Sequence, residues 1–572
     1  MLAIRILRKP QVNSSSFYVL TRHFFRRLFL NETVLFEDRM VASVIGVISI
    51  LSILSAHMAN SLLFKYLIIR EVGQAWAEIS VFISFVMLQI GLITLFQWDV
   101  IFLDRKDYLN LSSLPLRPSA IFSAKFFSLA MFVGMFVVGI NSISSLFFAF
   151  YLGESKKYGL LSTLVLLLIH LLVMFMAACF TFFTLAFIAG LFNILLRGKL
   201  FRQISEFIRF ALIVAHIFFL YHFLIDTGFI TNQVDNLEAL KSNPSAFMMN
   251  YPPLWFTGMY QALRGDKESF FLTLATKGFL ALAVSVAVFF LFTYISHNRY
   301  LKKMSPDGSK HSQAPLIKRT IEPLLNLTIL RNPVERALFW FYHSVLTRSR
   351  IHKNRLISYF GIGLGIALII FVSGHKSQPG SMLSFSLVLT FFVLVGIRDA
   401  TQMPLKYEAN WIFQLTEGTN AWPYFLALKK SIIVFFILLL FILLFLFYSN
   451  GLGWAEAFIY CCYVLVFTVL LMEILFFRQR KFPFVCSYLP NKSQMHVFWI
   501  IYVLSFLVYV LLPQRLAHLV LGETTGFIIF SLSFVLIISA SWFYHRHYFY
   551  PSASLIYEDR PEPSIDELFR LT

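Results

Sequence analysis

The side chains able to do chemistry are few in this chain, and their spacing excludes most reactions. Four cysteines occur, Cys179, Cys461, Cys462 and Cys486, without the CxxC spacing of a thiolate metal site. His545 and His547 form an HxH, but no acid or thiolate stands beside them to complete a ligand set. The sequence contains no HExxH and no GxxxxGK[ST], so it carries no zincin helix and no phosphate-cradling loop. No spacing ties a nucleophile to a base. The reading is a chain that is not itself an enzyme, with no catalytic residue, no metal and no bound cofactor.

The ionisable residues that fall within apolar runs are more informative. A charge at the centre of a bilayer costs about 2.5–3.5 kcal/mol on insertion scales and marks an ion or proton path where it occurs. Glu78, Asp99, Glu206, Arg209, Glu456 and Glu473 stand near the ends of such runs, where they reach the interface, and Lys277 is within snorkelling distance of one. His57, His170 and His216 lie deeper and read as hydrogen-bonded packing residues. Asn141, Ser142, Ser144 and Ser145 form the clearest polar cluster inside a run. Two readings stay open for it: a substrate path through Asn141, Ser142 and Ser145, or polar contact between helices.

The elements that position these residues follow from composition. Of 572 residues, 58% are apolar types and 13% charged, with 67 phenylalanines. A soluble protein carries about a quarter charged residues; this chain could not cover a water-exposed surface. Spanning helices need about 20 mostly apolar residues, and twelve such runs are found, at 41–64, 78–99, 125–151, 160–190, 204–225, 270–296, 356–374, 381–398, 430–449, 455–475, 496–512 and 526–543. The seventh and eleventh are short. The expectation is an all-α polytopic membrane protein of about twelve transmembrane helices, with both termini cytoplasmic. Met1–Met40 is basic and broken by polar residues, so it is not read as a cleavable signal peptide.

The net charge of +19 belongs to this topology, not to nucleic-acid binding. With the N-terminus inside, the cytoplasmic segments hold 37 Lys and Arg and the outer loops 9, as the positive-inside rule requires.

The chain divides into two halves of six spans. Residues 1–296 form the first, 297–355 a basic linker, 356–543 the second and 544–572 a cytoplasmic tail. Each half opens with a basic amphipathic stretch suited to the membrane interface. Phe17, Leu20, Phe24 and Leu28 share a face opposite Arg22, Arg26 and Arg27, and Val334, Leu338, Phe341 and Val345 repeat the stripe beside Arg336, Arg348 and Arg350. Each half also makes a polar excursion between its second and third spans. Asp104, Asp107, Leu111 and Leu114 lead to Lys125 in the first, and Glu408, Trp411 and Phe413 lead to Lys429 and Lys430 in the second. This ordered recurrence reads as a duplicated unit. The loop after span five carries Tyr251-Pro-Pro-Leu-Trp-Phe, whose aromatics suit a segment lying on the outer membrane surface.

These features carry a resemblance. The interfacial helix, the excursion Asp107-Tyr-Leu-Asn-Leu-Ser-Ser-Leu-Pro-Leu-Arg-Pro with Lys125 downstream, and the Tyr251-Pro-Pro-Leu-Trp-Phe outer element resemble the permease subunits of type-2 ATP-binding-cassette exporters. Residues 14–296 match well; residues 332–543 match in layout but poorly in wording. The resemblance implies export powered by a separate ATPase subunit present in two copies, with ATP and Mg held by that partner. It also implies a bacterial inner-membrane location and excursions that act as coupling helices through Asp104, Asp107, Leu111, Leu114, Lys125, Glu408, Trp411 and Phe413. An ion-gradient-driven secondary transporter is the alternative, and an integral-membrane lipid enzyme a third. Largely apolar spans favour a lipid-like or hydrophobic substrate.

Single cysteines at Ser377 and Ser449 are expected to react with an impermeant thiol reagent in intact cells, and cysteines at Ser309 and Ser564 to stay unlabelled. Labelling of position 309 from outside overturns the orientation.

Overall fold

The structure is a computed structural model that describes residues 16–29, 40–67, 75–98, 101, 118–152, 160–195, 198–225, 227–242, 248–302, 322–323, 325–373, 379–403, 413, 421–484, 495–522 and 524–551. The described residues are mostly helical, joined by short turns, and include no β-strand beyond one isolated backbone bridge at Lys481. Twelve helices are long and apolar enough to cross a membrane. The chain separates into two compact units, 1–308 and 309–572.

Unit 1 begins with the amphipathic α1 (Ser16–Phe29). The first span is α2 (Met40–Leu63) and the second α3 (Trp76–Phe96). The third and fourth are α4 (Pro118–Leu152) and α5 (Leu160–Leu195), followed by α6 (Gly198–Ile225). Two shorter helices, α7 (Thr227–Ser242) and α8 (Pro252–Leu263), precede the sixth span, α9 (Ser269–Lys302). Every side chain from Trp76 to Val86 is buried, because α3 packs against α2, α5, α6, α7 and α8. Two of its polar groups are bonded to neighbours: the Ser84 hydroxyl to Tyr251 Oη at 2.8 Å, and Gln89 Oε1 to the Ser55 hydroxyl at 2.9 Å.

Unit 2 repeats the plan. The amphipathic α10 (Pro333–Arg348) starts at Asn332, whose side chain accepts the Val334 amide, with Pro333 at the first helical position. Spans follow as α11 (Arg350–Ser373) and α12 (Pro379–Thr401). The third span of this unit is composite: α13 (Trp422–Ile432), a π-helical turn at Ile433–Ile437, and α14 (Leu438–Leu452). Gly453, at φ +86°, joins it directly to α15 (Trp454–Leu475), a conformation that favours glycine. The last spans are α16 (Met495–Val520) and α17 (Thr524–Tyr544), the latter continued by a second π-helical turn, His545–Phe549. Here the second span, α12, is the central helix, buried without interruption from Met382 to Phe391. Ser386 and Thr390 on it bond to Tyr448 and Tyr509 at 2.7 and 2.9 Å.

The expected spans are all present, with shifted ends. The short seventh and eleventh runs sit in helices of 24 and 26 residues, because polar turns extend them. In α16 the helix passes Pro513, whose carbonyl accepts the buried Tyr463 hydroxyl at 2.7 Å. The outer aromatic segment departs from expectation. As α8 it is not laid on a surface: Leu254, Phe256, Gly258, Met259 and Tyr260 are buried between α3, α5 and α9. The rings of Trp255 and Phe256 meet Phe180 of α5, and Tyr260 meets His170. Arg22, placed by sequence on the exposed face of α1, is also buried.

The seating of α8 depends on Gly258. A Cβ there would lie 2.5 Å from Leu274 Cβ and 2.7 Å from the Ala275 nitrogen of α9. Gly258→Ala is expected to cost roughly 1–3 kcal/mol, seen as a lower apparent melting temperature in detergent. Gly46→Ala, at a helical site with nothing within 4 Å, is the control and should not lower it. Equal melting of the two variants would show that α8 is not packed this way.

Candidate functional site

The candidate site is the end of each unit from which its polar excursion emerges. Asp104, Asp107, Leu111, Leu114, Glu408 and Trp411 lie outside the described residues. Lys125 and Phe413 are described, and so are the helix ends that hold the excursions.

In unit 1, α1 lies along α4. Leu20 and Phe24 pack with Ala124 of α4, and the Lys125 ammonium is buried 5.3 Å above the Phe24 ring, an arrangement in which the ring face offsets part of the lost hydration. Burial, with the charges of Arg27 and Lys125 added, holds the His23 imidazole below its ordinary range. At the end of α3 the Trp98 indole N–H donates to the Ser205 hydroxyl of α6 at 3.1 Å.

Unit 2 carries the denser network. Lys429 of α13 forms an ion pair of 2.7 Å with Glu473 of α15, and the two side chains are 1% and 4% exposed. Glu473 also accepts the Trp542 indole N–H at 2.6 Å and the Ser541 hydroxyl at 3.1 Å, both from α17. One turn on, His545 Nε2 donates to the Phe477 carbonyl at 2.8 Å. The adjacent Lys430 pairs with Glu335 of α10 at 2.5 Å and donates to the Ile329 carbonyl at 3.0 Å. Thus α13 is fastened by one lysine to α15 and α17 and by the next to α10. Burial, then the Glu473 charge, raises the Tyr550 phenol, which stays a hydroxyl and donates to the Gln479 carbonyl at 3.2 Å.

A second cluster surrounds Phe413. Its ring centroid is 4.7 Å from that of Phe482 and 5.4 Å from that of Phe341 on α10. Phe484, at φ +65°, sits in a region that non-glycine residues enter only when their surroundings hold them there. Its amide donates to the Thr401 carbonyl at 2.9 Å, and its buried ring meets His352 and Tyr342. His352 in turn donates from Nε2 to the Met403 carbonyl at 3.1 Å and accepts the Ser349 hydroxyl at Nδ1.

The polar residues of α4 are brought against α2. The Ser142 hydroxyl lies 3.2 Å from that of Ser52, whereas buried Asn141 and the Ser145 hydroxyl bond to carbonyls of their own helix, Val137 and Ser142. Glu78 is buried and paired with Lys65 at 2.5 Å, and Lys277 reaches Asn250 at 3.4 Å. Of the deeper histidines, His216 bonds to the Leu212 carbonyl, while His170 is enclosed by the rings of Phe82, Phe148 and Tyr260. Among the described residues no group of three His, Cys, Asp or Glu side chains is placed to hold a metal ion.

Sequence reasoning missed the Lys429–Glu473 pair. Its position in the sequence puts Glu473 at a span end, within reach of the interface; its partner is 44 positions away, and only two opposite charges at the edges of neighbouring apolar runs signal it. Comparison of the chain with protein-family models, with curated proteins and with solved structures finds no match.

Removing one member of a buried pair strands the other charge and costs about 3–5 kcal/mol, whereas replacing both is often neutral. Lys429→Met is therefore expected to lower the apparent melting temperature sharply, and Lys429→Met with Glu473→Gln to recover at least half of the loss. A single variant as stable as the wild type, measured in the same detergent, would show that the pair is not buried.

Proposed function

We propose that this chain is the membrane-spanning permease of an ATP-binding-cassette exporter of the bacterial inner membrane, with both halves of the membrane domain in one polypeptide and ATP hydrolysed by a separate subunit. One observation carries the reading: both units place a largely buried second span directly before the excursion and lay an amphipathic helix along the third span, with buried lysine at that junction. Such a junction passes force from an excursion into the membrane helices. In this reading the excursions take up the motion of the ATPase, with Leu111, Leu114, Trp411 and Phe413 as apolar anchors and Asp104, Asp107 and Glu408 as rim charges. Lys125 holds the first excursion's exit, and the substrate is lipid-like or hydrophobic. The ion-paired acids of the spans, Glu78 and Glu473, stand at helix ends, which supports an external energy source over an ion gradient.

The test is purification of the tagged full chain from its native membranes. An ATP-binding-cassette ATPase is expected to accompany it. Truncating buried anchors costs about 2 kcal/mol or more and rim charges little; Leu111→Ala with Leu114→Ala, or Trp411→Ala, should therefore reduce ATPase recovery far more than Asp104→Ala. Recovery insensitive to the apolar variants, or substrate movement by the chain alone in vesicles under a pH step without ATP, overturns the proposal.

A further inference from the structure

Three features of unit 2 converge on one stretch of its third span. The first is the clamp. Lys429 and Lys430 fasten α13 to α15, α17 and α10 through two ion pairs, and Tyr550 stacks on Phe425 of α13 at 4.6 Å between ring centroids. The second is the position of the π-helical turns. Among the described residues there are two, Ile433–Ile437 and His545–Phe549, and each borders this clamp. In the first, the Leu438 amide reaches back five residues to the Ile433 carbonyl instead of four. An extra residue in a helical turn loosens the ladder, and such turns are frequent at functional positions. The third is a small, partly open crevice bounded by Ile437, Leu440 and Leu444 of the third span, with Thr390 of α12 and Cys461 and Thr468 of α15 on its other walls.

The sequence gives the turn no local cause, since no proline or glycine stands in Ile433-Val-Phe-Phe-Ile437. Its cause is tertiary. The clamp fixes the rotational setting of α13 so that Lys429 faces Glu473, and Leu440, Leu444 and Tyr448 fix that of α14 by burial. Two settings that do not match in phase along one helix leave a residue to be absorbed between them.

We infer that α13 and the ends of α15 and α17 move as one clamped body, and that the Ile433–Ile437 turn is the hinge over which this body swings against α14 to widen the crevice beside Cys461. The motion is a property of the chain alone. It needs no ATPase, so its failure and the failure of the proposed function are separate results.

The experiment uses the full chain in lipid nanodiscs, with two readouts. Residue-resolved amide exchange reports the hinge, and N-ethylmaleimide labelling followed by mass spectrometry reports the crevice through Cys461, with buried Cys179 of unit 1 as internal reference. In the wild type, amides 433–438 are expected to exchange about tenfold faster than those of 425–431 and 440–446, because local opening concentrates where the ladder is weakest. Cys461 should be labelled about tenfold faster than Cys179 for the same reason. In the Lys429→Met, Glu473→Gln chain, α13 is released, and exchange over 425–431 should rise to that of the hinge. As a second variant that keeps the clamp, Leu440→Phe should slow labelling of Cys461 by filling the crevice while leaving exchange at 433–438 unchanged. Uniform protection from 425 to 446 in the wild type, or a double variant whose exchange rises equally over α11 and α12, overturns the inference.

Discussion

A lysine and a glutamate inside a membrane protein survive only if each is neutralised by the other and every remaining hydrogen-bonding site is filled. In the Lys429–Glu473 pair the two charges neutralise each other, and an indole N–H and a hydroxyl add two further donors to the carboxylate. Such a pair contributes little net stability, since desolvation offsets most of the attraction. What it fixes is relative placement: one rotational setting of α13 satisfies it. The ends of α15 and α17, the path of the chain toward Tyr550, and the phase mismatch relieved at the π-helical turn all follow from that setting.

The same economy governs the central helices. With no water in the hydrocarbon region, polar groups must be satisfied by protein. Both second spans are the most buried helices of their units, and both hold serine, threonine or glutamine that hydroxyls on neighbouring elements reach, as Tyr251 and Ser55 do in unit 1 and Tyr448 and Tyr509 in unit 2. These bonds make each second span the fixed post of its unit. The amphipathic helices then dock on the third spans, whose first turns carry the lysines.

Much of this was legible in the sequence, because length and apolarity decide what crosses a bilayer. All twelve runs became helices, and the amphipathic stripes became the faces by which α1 and α10 pack. What could not be read depended on partners distant in the chain. Span nine was expected from 430, and its helix begins at Trp422; Lys429 and Lys430 look like a boundary until Glu473 and Glu335 are placed beside them. Tyr251-Pro-Pro-Leu-Trp-Phe has the composition of an interfacial segment, and only the close approach of Gly258 to α9 shows that it is buried. The π-helical turn in Ile433–Ile437 has no signature, because the phases it reconciles are set elsewhere. Of the candidate site, Lys125 and Phe413 lie among the described residues and pack at helix ends, while Glu473, which by its position at a span end reads as reaching the interface, is buried against Lys429.

The burial of α8 also has a consequence for how the molecule is made. Within unit 1, five spans precede α8 in synthesis and one follows it, yet its buried face is shared among α3, α5 and α9. A chain extended only to Leu263 offers α8 just part of its seat, the faces of α3 and α5. The helix is locked when α9 enters the membrane and presents Leu274 and Ala275 to Gly258. Unit 1 is therefore completed from its last helix backward. During that interval its aromatic residues are exposed to whatever factor attends membrane insertion.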